Sequence, residues 1–260
     1  MTKTLDKVPT ERGDPRNPAE TVDTLFAGKL ELHQSQSGYR FSLDAVLLAH
    51  FLEPRPADTV VDLGAGNGVI ALVLAYLHPG LKVTALEVQP NLAAYARRNV
   101  RLNRFDERVT ILSGDVREIA SLAARESCKL AVCNPPFRKT SSGRVSPDEE
   151  RKIARHEVDG TLHDFLSAGA YLLPVKGRMA LIYPAVRSVD LLDSMREAGI
   201  EPKRLRMVHS YADAAASLIL VEGVKAGRSG IQVMAPLVVY ETGKRYSAEV
   251  ARMLEGRLES

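Results

Sequence analysis

Several residue types are scarce in this sequence, and each scarcity narrows the class of protein. Tryptophan is absent and aromatic residues make up only 5% of the 260 residues, so few side chains are available for stacking. The two cysteines, Cys128 and Cys133, have no CxxC pair and no nearby pair of histidines, which excludes a disulfide framework and argues against a zinc site. No apolar run approaches the roughly 18 residues that cross a bilayer, and the first residues form no apolar signal segment. We therefore expect a cytoplasmic protein with two buried free thiols, no metal and no membrane anchor.

The overall composition is that of an ordinary globular protein. Hydrophobic residues account for 45% of the chain and charged residues for 26%. The net charge of +3 and the pI near 8.8 are mildly basic. This balance permits a nucleic-acid partner without requiring one.

Apolar strands alternate with helical segments along most of the chain, which predicts an α/β fold with a doubly wound, mostly parallel sheet. Two late strands, 202–210 and 216–224, have no helix between them and are expected to form an antiparallel hairpin at the edge of the sheet. A strand at 236–241 and a final helix follow, after a loop at 225–235. We expect three regions: a flexible tail at 1–20, an N-terminal extension at 21–56 and one domain at 57–260.

A glycine-rich turn lies between the first strand of this domain and the helix that follows. The sequence VVDLGAGNG places Gly64, Gly66 and Gly68 where the backbone can turn sharply and approach a ligand. The spacing is GxGxG, with Val69 where the third glycine of a dinucleotide-binding GxGxxG motif would stand. The turn therefore argues against NAD and FAD, and it also lacks the Gly-Lys-Ser/Thr of a Walker loop.

Three acidic residues stand at the ends of three successive predicted strands. Asp62 precedes the glycine turn, Glu87 ends the second strand and Asp115 ends the third. A carboxylate at the second position can accept hydrogen bonds from ribose hydroxyls, and one at the third can accept from an adenine amine. Any one of these acids alone is compatible with an exposed turn. All three in this order, together with the glycine turn, indicate a cofactor site.

The sequence CNPPF, residues 133–137, ends the fourth strand abruptly. Two successive prolines lack the N–H that a helix or a central strand needs, so the strand stops and Asn134 is held extended at a stiff corner. In open α/β sheets, ligands bind outside the carboxyl ends of the strands. The corner is therefore expected to face the same site as the glycine turn.

These four motifs, in this order, resemble those of the class I S-adenosylmethionine (SAM)-dependent methyltransferases. VVDLGAGNG is similar to the cofactor loop of that family, LEVQP to its ribose-binding strand end, GDV to its adenine-binding strand end and NPPF to its catalytic tetrapeptide. The resemblance implies SAM as the cofactor. It also implies a Rossmann-like sheet of seven strands with the last strand antiparallel, in agreement with the hairpin predicted at 202–224.

The resemblance further implies which residues bind the cofactor. They belong to the glycine loop, the two strand ends after it, the catalytic corner, and a part of the N-terminal extension that closes over the methionine end of SAM. The residues so implied are Arg40, Phe41, Ser42, Asp62, Gly64, Gly66, Asn67, Gly68, Glu87, Val88, Asp115, Val116 and Asn134.

Families with an Asn-Pro-Pro-aromatic sequence methylate planar nitrogens, whose lone pair is delocalised into a ring or a carbonyl. By this resemblance, Asn134 Oδ1 and the Pro135 carbonyl accept hydrogen bonds from the nitrogen and favour the pyramidal geometry that exposes its lone pair. Phe137 is expected to stack on the substrate. No general base is needed before attack, because the methylated cation loses its proton readily. Asn134, Pro135 and Phe137 are thus the predicted catalytic residues.

A closer resemblance covers approximately residues 23–250. SGYRFSLDAVLLAHF, ARHE and PLVVYE are similar to segments of bacterial enzymes that methylate adenine N6 in the anticodon loop of a valine tRNA, which implies an RNA substrate. Segment 138–160 is rich in charge and is either a lid that contacts phosphates or a solvated loop. Further RNA contacts are predicted on the last strands, at Lys203, Arg204, Arg206, Lys225 and Arg228.

Other substrates and a non-enzymatic role stay open at this point. An enzyme that methylates guanine N2 in rRNA or a protein glutamine amide would share the fold and the cofactor. The glutamine enzymes usually have NPPY and a helical N-terminal domain, whereas this chain has Phe137 and a short N-terminal extension. A scaffold that only retains the SAM fold is disfavoured by the presence of Asp62, Glu87 and Asn134.

Overall fold

A computed structural model describes residues 11–14, 17–36, 41–56, 58–136 and 160–258. The chain begins with a small antiparallel sheet of three strands, in which the middle strand pairs with both neighbours. The strands are β1 (Glu11–Asp14), β2 (Asn17–Leu25) and β3 (Leu30–Ser35). Residues 23–33, for which the sequence predicts a short strand or a hairpin, form the turn end of the β2–β3 hairpin. The flexible tail predicted at 1–20 is wrong for 11–14 and 17–20, because backbone pairing with neighbouring strands orders a segment that is poor in apolar residues; residues 1–10 and 15–16 lie outside the described part.

Seven strands form the body of the main sheet. They are β4 (Thr59–Leu63), β5 (Lys82–Glu87), β6 (Val109–Ser113), β7 (Leu130–Cys133), β8 (Arg178–Pro184), β9 (Ile200–His209) and β10 (Ala216–Lys225). Their spatial order is β6-β5-β4-β7-β8-β10-β9. Strand β10 is antiparallel to both β8 and β9, while the other six strands share one direction. The predicted doubly wound sheet with an antiparallel last strand is therefore confirmed.

Helices cover both faces of the main sheet. They are α1 (Leu43–Phe51), α2 (Val69–Leu77), α3 (Pro90–Leu102), α4 (Ile119–Leu122), α5 (Leu162–Leu172), α6 (Ser188–Glu197) and α7 (Ala248–Leu254), with short 3-10 turns at Val116–Glu118 and Ala185–Arg187. Local sequence fixes several starts. Pro90 occupies the first turn of α3, where its missing N–H is harmless, and Thr161 with Asp164 forms a capping box before α5.

The central strands are buried on both faces, and alternate side chains enter two separate cores. Val60 and Val132 pack into the core that contains α1 and α2, whereas Val61 and Ala131 pack into the core around α5. This explains why the strand sequences are continuous apolar runs rather than alternating ones. Because parallel strands all end at the same edge of a sheet, the residues that follow β4, β5, β6 and β7 converge there.

The N-terminal sheet is attached to α3 through two asparagines one helical turn apart. The His33 amide donates to Asn99 Oδ1 at 2.8 Å, and Asn99 Nδ2 donates back to the His33 carbonyl at 3.0 Å. Asn103 makes the same pair of bonds with Glu31, at 3.0 and 2.7 Å. The free edge of β3 is thus paired with side-chain amides instead of another strand.

The last third of the chain contains more and shorter strands than predicted. The loop at 225–235 contains a two-residue strand, β11 (Gln232–Val233), and the strand at 236–241 is split into β12 (Leu237–Val238) and β13 (Tyr240–Thr242). Strands β11 and β12 pair with β9, and β13 forms a small hairpin with β14 (Arg245–Tyr246). The Ala-rich sequence at 116–126 predicts one short helix, whereas the structure has a 3-10 turn at Val116–Glu118 and the short α4, which ends at Leu122.

Candidate active site

The glycine loop makes a tight connection between β4 and α2. The amides of Gly64 and Ala65 both donate to the Leu86 carbonyl at 2.9 Å, so the loop is held against the end of β5. Gly64 has φ +75°, and a Cβ there would lie 2.9 Å from the Phe165 ring. Gly68 has φ +86°, and a Cβ there would lie 3.1 Å from the Cβ of Ala96. Glycine is therefore required at both positions by conformation and by space.

Asp62 is fully buried beneath this loop. Neither of its carboxylate oxygens has a hydrogen-bond partner by geometry among the described residues. Burial raises the pKa of Asp62 to about 7, although the Ala71 backbone N–H in the first turn of α2 opposes the rise, and the nearby Glu87 carboxylate adds to it. Cys133 lies close to it, and burial raises the pKa of this thiol well above its usual value. Both cysteines are buried free thiols, as predicted.

Glu87 is a buried carboxylate that the backbone holds in place. Its Oε2 accepts from the Gly66 amide at 2.7 Å, and its Oε1 accepts from the Gln89 amide at 2.8 Å. These bonds tie the end of β5 to the glycine loop and fix the direction of the carboxylate. Glu87 therefore lies at the end of β5 beside the glycine loop, and its role as a ribose acceptor stays a prediction.

Asp115 reaches the predicted edge, but its carboxylate is already engaged. It accepts from the Arg117 amide at 2.9 Å and also from the Arg117 guanidinium. The hydrogen bond to this guanidinium lowers the pKa of Asp115. These bonds occupy much of the acceptor capacity of Asp115, and its role towards an adenine amine stays a prediction, as does that of the neighbouring buried Val116.

Asn134 stands next to the start of the glycine loop. In the pairing of β4 with β7, Leu63 lies opposite Cys133, so the next residues, Gly64 and Asn134, leave the sheet side by side. Asn134 is half-buried and Pro135 is buried. Strands in a sheet are separated by about 4.8 Å, which brings the predicted cofactor loop and the predicted catalytic amide into one site.

Some predicted site residues cannot be placed. Arg40, Phe137 and residues 138–159 lie outside the described part of the chain. Whether segment 138–160 forms a lid therefore stays a prediction. Phe41 is buried and Ser42 occupies the N-cap position of α1, where its side chain bonds with Asp44. Val88 directly follows Glu87 and is half-buried.

A buried polar network, which sequence reasoning missed, links the N-terminal sheet to the glycine loop. Gln34 Oε1 accepts from Asn67 Nδ2 at 2.9 Å and from the Phe41 amide at 3.1 Å. Asn99 Nδ2 donates to the Asn67 carbonyl at 3.1 Å. Asn67 Oδ1 remains buried without a hydrogen-bond partner in the described residues. One glutamine oxygen thus joins two segments that were predicted to contact the cofactor.

A second missed residue is Asp44, in the first turn of α1. It is buried, and burial raises its pKa to about 6 although a bond with Ser42 opposes the rise. Its Oδ1 has no hydrogen-bond partner within the described ranges. The signal in the sequence was a single acid in an otherwise apolar helix, LDAVLLAHF.

The basic side chains of the last strands are used inside the protein. Arg204 pairs with Glu53 at 2.6 Å, and Arg206 pairs with Glu249 at 2.6 Å. The Lys203 and Lys225 ammonium groups donate to backbone carbonyls. The structure does not support the predicted RNA contacts by these four side chains; Arg228 is exposed in a loop at the amino end of the sheet.

The described residues contain no cluster of three or more His, Cys, Asp or Glu side chains that could hold a metal ion. No helix among them combines the length and apolar character needed to cross a bilayer.

Comparison with known proteins identifies the family. Residues 39–151 match the methyltransferase small domain family. A protein of Porphyromonas gingivalis named tRNA1(Val) (adenine(37)-N6)-methyltransferase is 35% identical over 176 residues, which cover 65% of this chain and 68% of the relative. This chain belongs to the same methyltransferase family as this relative. A methyltransferase of the same name from Shewanella halifaxensis is 30% identical, with 73% of this chain and 74% of the relative covered.

Solved structures agree with the fold of this methyltransferase. A predicted O-methyltransferase from Agrobacterium tumefaciens has a TM-score of 0.69 at 22% identity, covering 84% of this chain and 98% of that one. TYW2 of M. jannaschii, solved in complex with AdoMet, has a TM-score of 0.55 at 15% identity, with coverages of 80% and 87%. The predicted resemblance to the class I methyltransferases is confirmed.

Proposed function

We propose that this methyltransferase transfers a methyl group from SAM to N6 of an adenine in tRNA, in the cytoplasm. The names of its relatives support this choice of substrate. The observation that carries the proposal is the position of Asn134. Its amide stands at a proline-stiffened corner next to the glycine loop, at the edge where the predicted cofactor residues converge.

The described residues fit SAM. The ammonium of its methionine part needs acceptors, and Asp62 and Asn67 offer buried oxygens that have no partner within the described ranges. Its ribose hydroxyls need a fixed acceptor, and Glu87 is held in place by two backbone amides. When bound, SAM supplies an electrophilic methyl group.

Asn134 and Pro135 act on the nitrogen that receives the methyl group. The Asn134 Oδ1 and the Pro135 carbonyl accept hydrogen bonds from the two N6–H groups of adenine. These bonds favour the geometry in which the N6 lone pair points away from the ring plane and is available for attack. Pro135 is buried and its ring fixes φ, which holds these acceptors rigidly. The methylated nitrogen then releases its proton to water.

The test is methyl transfer to RNA by the wild type and by Asn134→Ala. Radiolabelled SAM is offered with total bacterial tRNA, total rRNA and cell protein, and labelled nucleosides are separated. We expect label in tRNA as N6-methyladenosine. We expect Asn134→Ala to lose turnover by about 100-fold or more while it binds the cofactor normally. Asn91→Ala, an exposed asparagine on α3, serves as the matched control.

Other outcomes separate the alternatives. Label found only in guanosine or only in protein would keep the fold and the cofactor and overturn the adenine substrate. Asn134→Ala turning over at the wild-type rate would show that the catalytic assignment is wrong. If Asn134→Ala loses both turnover and cofactor binding, the role of Asn134 is to bind the cofactor and not to act on the substrate nitrogen.

A further inference from the structure

Three of the eight tyrosines of this aromatic-poor chain form one cluster. Tyr240 and Tyr246 are stacked, with ring centroids 5.2 Å apart and an interplanar angle of 21°. Tyr211 lies 5.7 Å from Tyr240 at 38°, and its hydroxyl donates to the Gly243 carbonyl at 2.5 Å. Tyr240, in the middle, is buried, whereas Tyr211 at one end is 36% exposed. The stack therefore reaches the solvent.

This tyrosine cluster lies at the same edge of the sheet as the catalytic corner. Tyr211 follows the carboxyl end of β9, and the Tyr240 amide donates to the Ser210 carbonyl at 2.9 Å, which extends the chain beyond that edge. Strands β7 and β9 are three strand spacings apart in the sheet order. The cluster is thus about 14 Å from the end of β7, where Asn134 stands.

An exposed apolar patch lies between the corner and the cluster. Val186 and Val189, which follow β8 at this edge, are 83% and 79% exposed. Between them in the sequence, Arg187 places its guanidinium 5.3 Å from the centre of the Tyr183 ring. The hairpin tip that carries Lys244 and Arg245 borders the tyrosines on the far side. Large apolar side chains at such exposure are a feature of binding surfaces.

We propose that this edge, defined by Val186, Arg187, Val189 and Tyr211, binds the unpaired nucleotides next to the target adenine. The proposal rests on the proposed function, because it extends the same RNA from the catalytic corner across the sheet. Every base has a face that can stack on an aromatic ring, and the exposed valines offer apolar surface to the next base. Arg187 is paired with Asp190 at 3.1 Å, so the proposal rests on stacking and apolar contact and not on charge. A few linked nucleotides span the separation between the corner and the cluster.

The alternative location for RNA is the amino end of the sheet, where Arg228 is exposed but most of the predicted basic side chains bond within the protein. Lys203, Arg204 and Lys225 are bonded to carbonyls or to a carboxylate of the protein. The carboxyl edge combines exposed valines and a partly exposed aromatic ring at the same edge of the sheet as the Asn134 amide. Continuity with that amide favours RNA over an unrelated protein partner as the occupant.

The test compares Val186→Glu with Val175→Glu. Both valines are exposed, but Val175 is 62% exposed in the turn before β8, at the opposite end of the same strand. KM and kcat are measured with a transcript of the tRNA anticodon stem-loop, and the cofactor Kd is measured by calorimetry. We expect Val186→Glu and Tyr211→Ala to raise the KM for RNA by about 5-fold or more, with the cofactor Kd unchanged. Val175→Glu is expected to match the wild type.

The outcomes distinguish this proposal from the proposed function. If the wild type methylates the stem-loop and Val186→Glu has an unchanged KM, the edge defined by Val186 and Tyr211 does not bind RNA. The proposed function still stands in that case. If the wild type methylates no RNA, the proposed function fails and this proposal fails with it. If Val175→Glu raises the KM as much as Val186→Glu does, general charge repulsion explains the effect and the proposal is overturned. Because Val186 is so exposed, its variant tests the surface even if Tyr211→Ala does not fold.

Discussion

Replacing Asp62 by asparagine should stabilise the cofactor-free protein at neutral pH. Asp62 is fully buried without a hydrogen-bond partner in the described residues, and its pKa is raised from 3.8 to about 7. In the unfolded chain the carboxyl loses its proton near pH 4, whereas in the folded protein it keeps the proton until about pH 7. Folding stability is therefore lost as the pH rises through this window. A rise of this size in the pKa lowers the free energy of unfolding above pH 7 by about 4 kcal/mol, as an order of magnitude.

The assay is urea unfolding of the wild type and of Asp62→Asn at pH 5, 6, 7 and 8 without cofactor. The difference in the free energy of unfolding between the two proteins isolates Asp62 from all other titrating groups. We expect the variant's advantage to be small at pH 5, to grow with pH and to level off above pH 7. An advantage that is the same at pH 5 and pH 8 would refute the reasoning.

The same substitution should weaken cofactor binding. An ionised Asp62 would pair with the ammonium of SAM, and a charged hydrogen bond of this kind contributes about 1.5–3 kcal/mol. The Kd for S-adenosylhomocysteine, measured by calorimetry, should therefore rise by about 10- to 100-fold in Asp62→Asn. A more stable protein with unchanged affinity would mean that the carboxylate does not face the cofactor.

Two further predictions concern residues outside the four motifs. Gln34→Met leaves the buried Asn67 amide and the Phe41 N–H without their acceptor, so the cofactor Kd should rise by about tenfold, measured against the exposed control Gln232→Met; equal affinities would contradict a positioning role for Gln34. Burial lowers the pKa of His50 from 6.5 to about 4, so stability that is complete above pH 6.5 should fall by up to about 3 kcal/mol as the pH drops towards 4. His50→Asn should reduce this acid sensitivity in urea unfolding, and an unchanged acid slope would count against it.

The motifs were predictable because their information is local. Asp62 and Glu87 lie in the last residues of apolar strands, and Asn134 directly follows one. Parallel strands bring such positions to one edge of the sheet. Gln34 and Asn67 are 33 residues apart, and no pattern in either segment indicates their contact. The engagement of Asp115 by Arg117 also depends on a side-chain conformation that spacing does not specify.

Composition misled the prediction for the start of the chain and for the basic residues near its end. Residues 17–20 contain few apolar side chains, yet their backbone belongs to β2, since pairing requires N–H and C=O groups rather than hydrophobicity. Positive charge on the last strands suggested RNA contacts. Arg206 instead pairs with the Glu249 carboxylate. Lys225 donates to backbone carbonyls at the end of α5, and only the folded structure reveals these contacts.

The asparagine pairs along β3 protect this protein against self-association. An open strand edge offers a row of free amides and carbonyls that can recruit a strand of another molecule and begin aggregation. Asn99 and Asn103 occupy these groups at His33 and Glu31, at the spacing of alternate residues in a strand. The contact that anchors the N-terminal sheet to α3 thus also blocks edge-to-edge pairing at these two positions of β3, a strand that contains no proline.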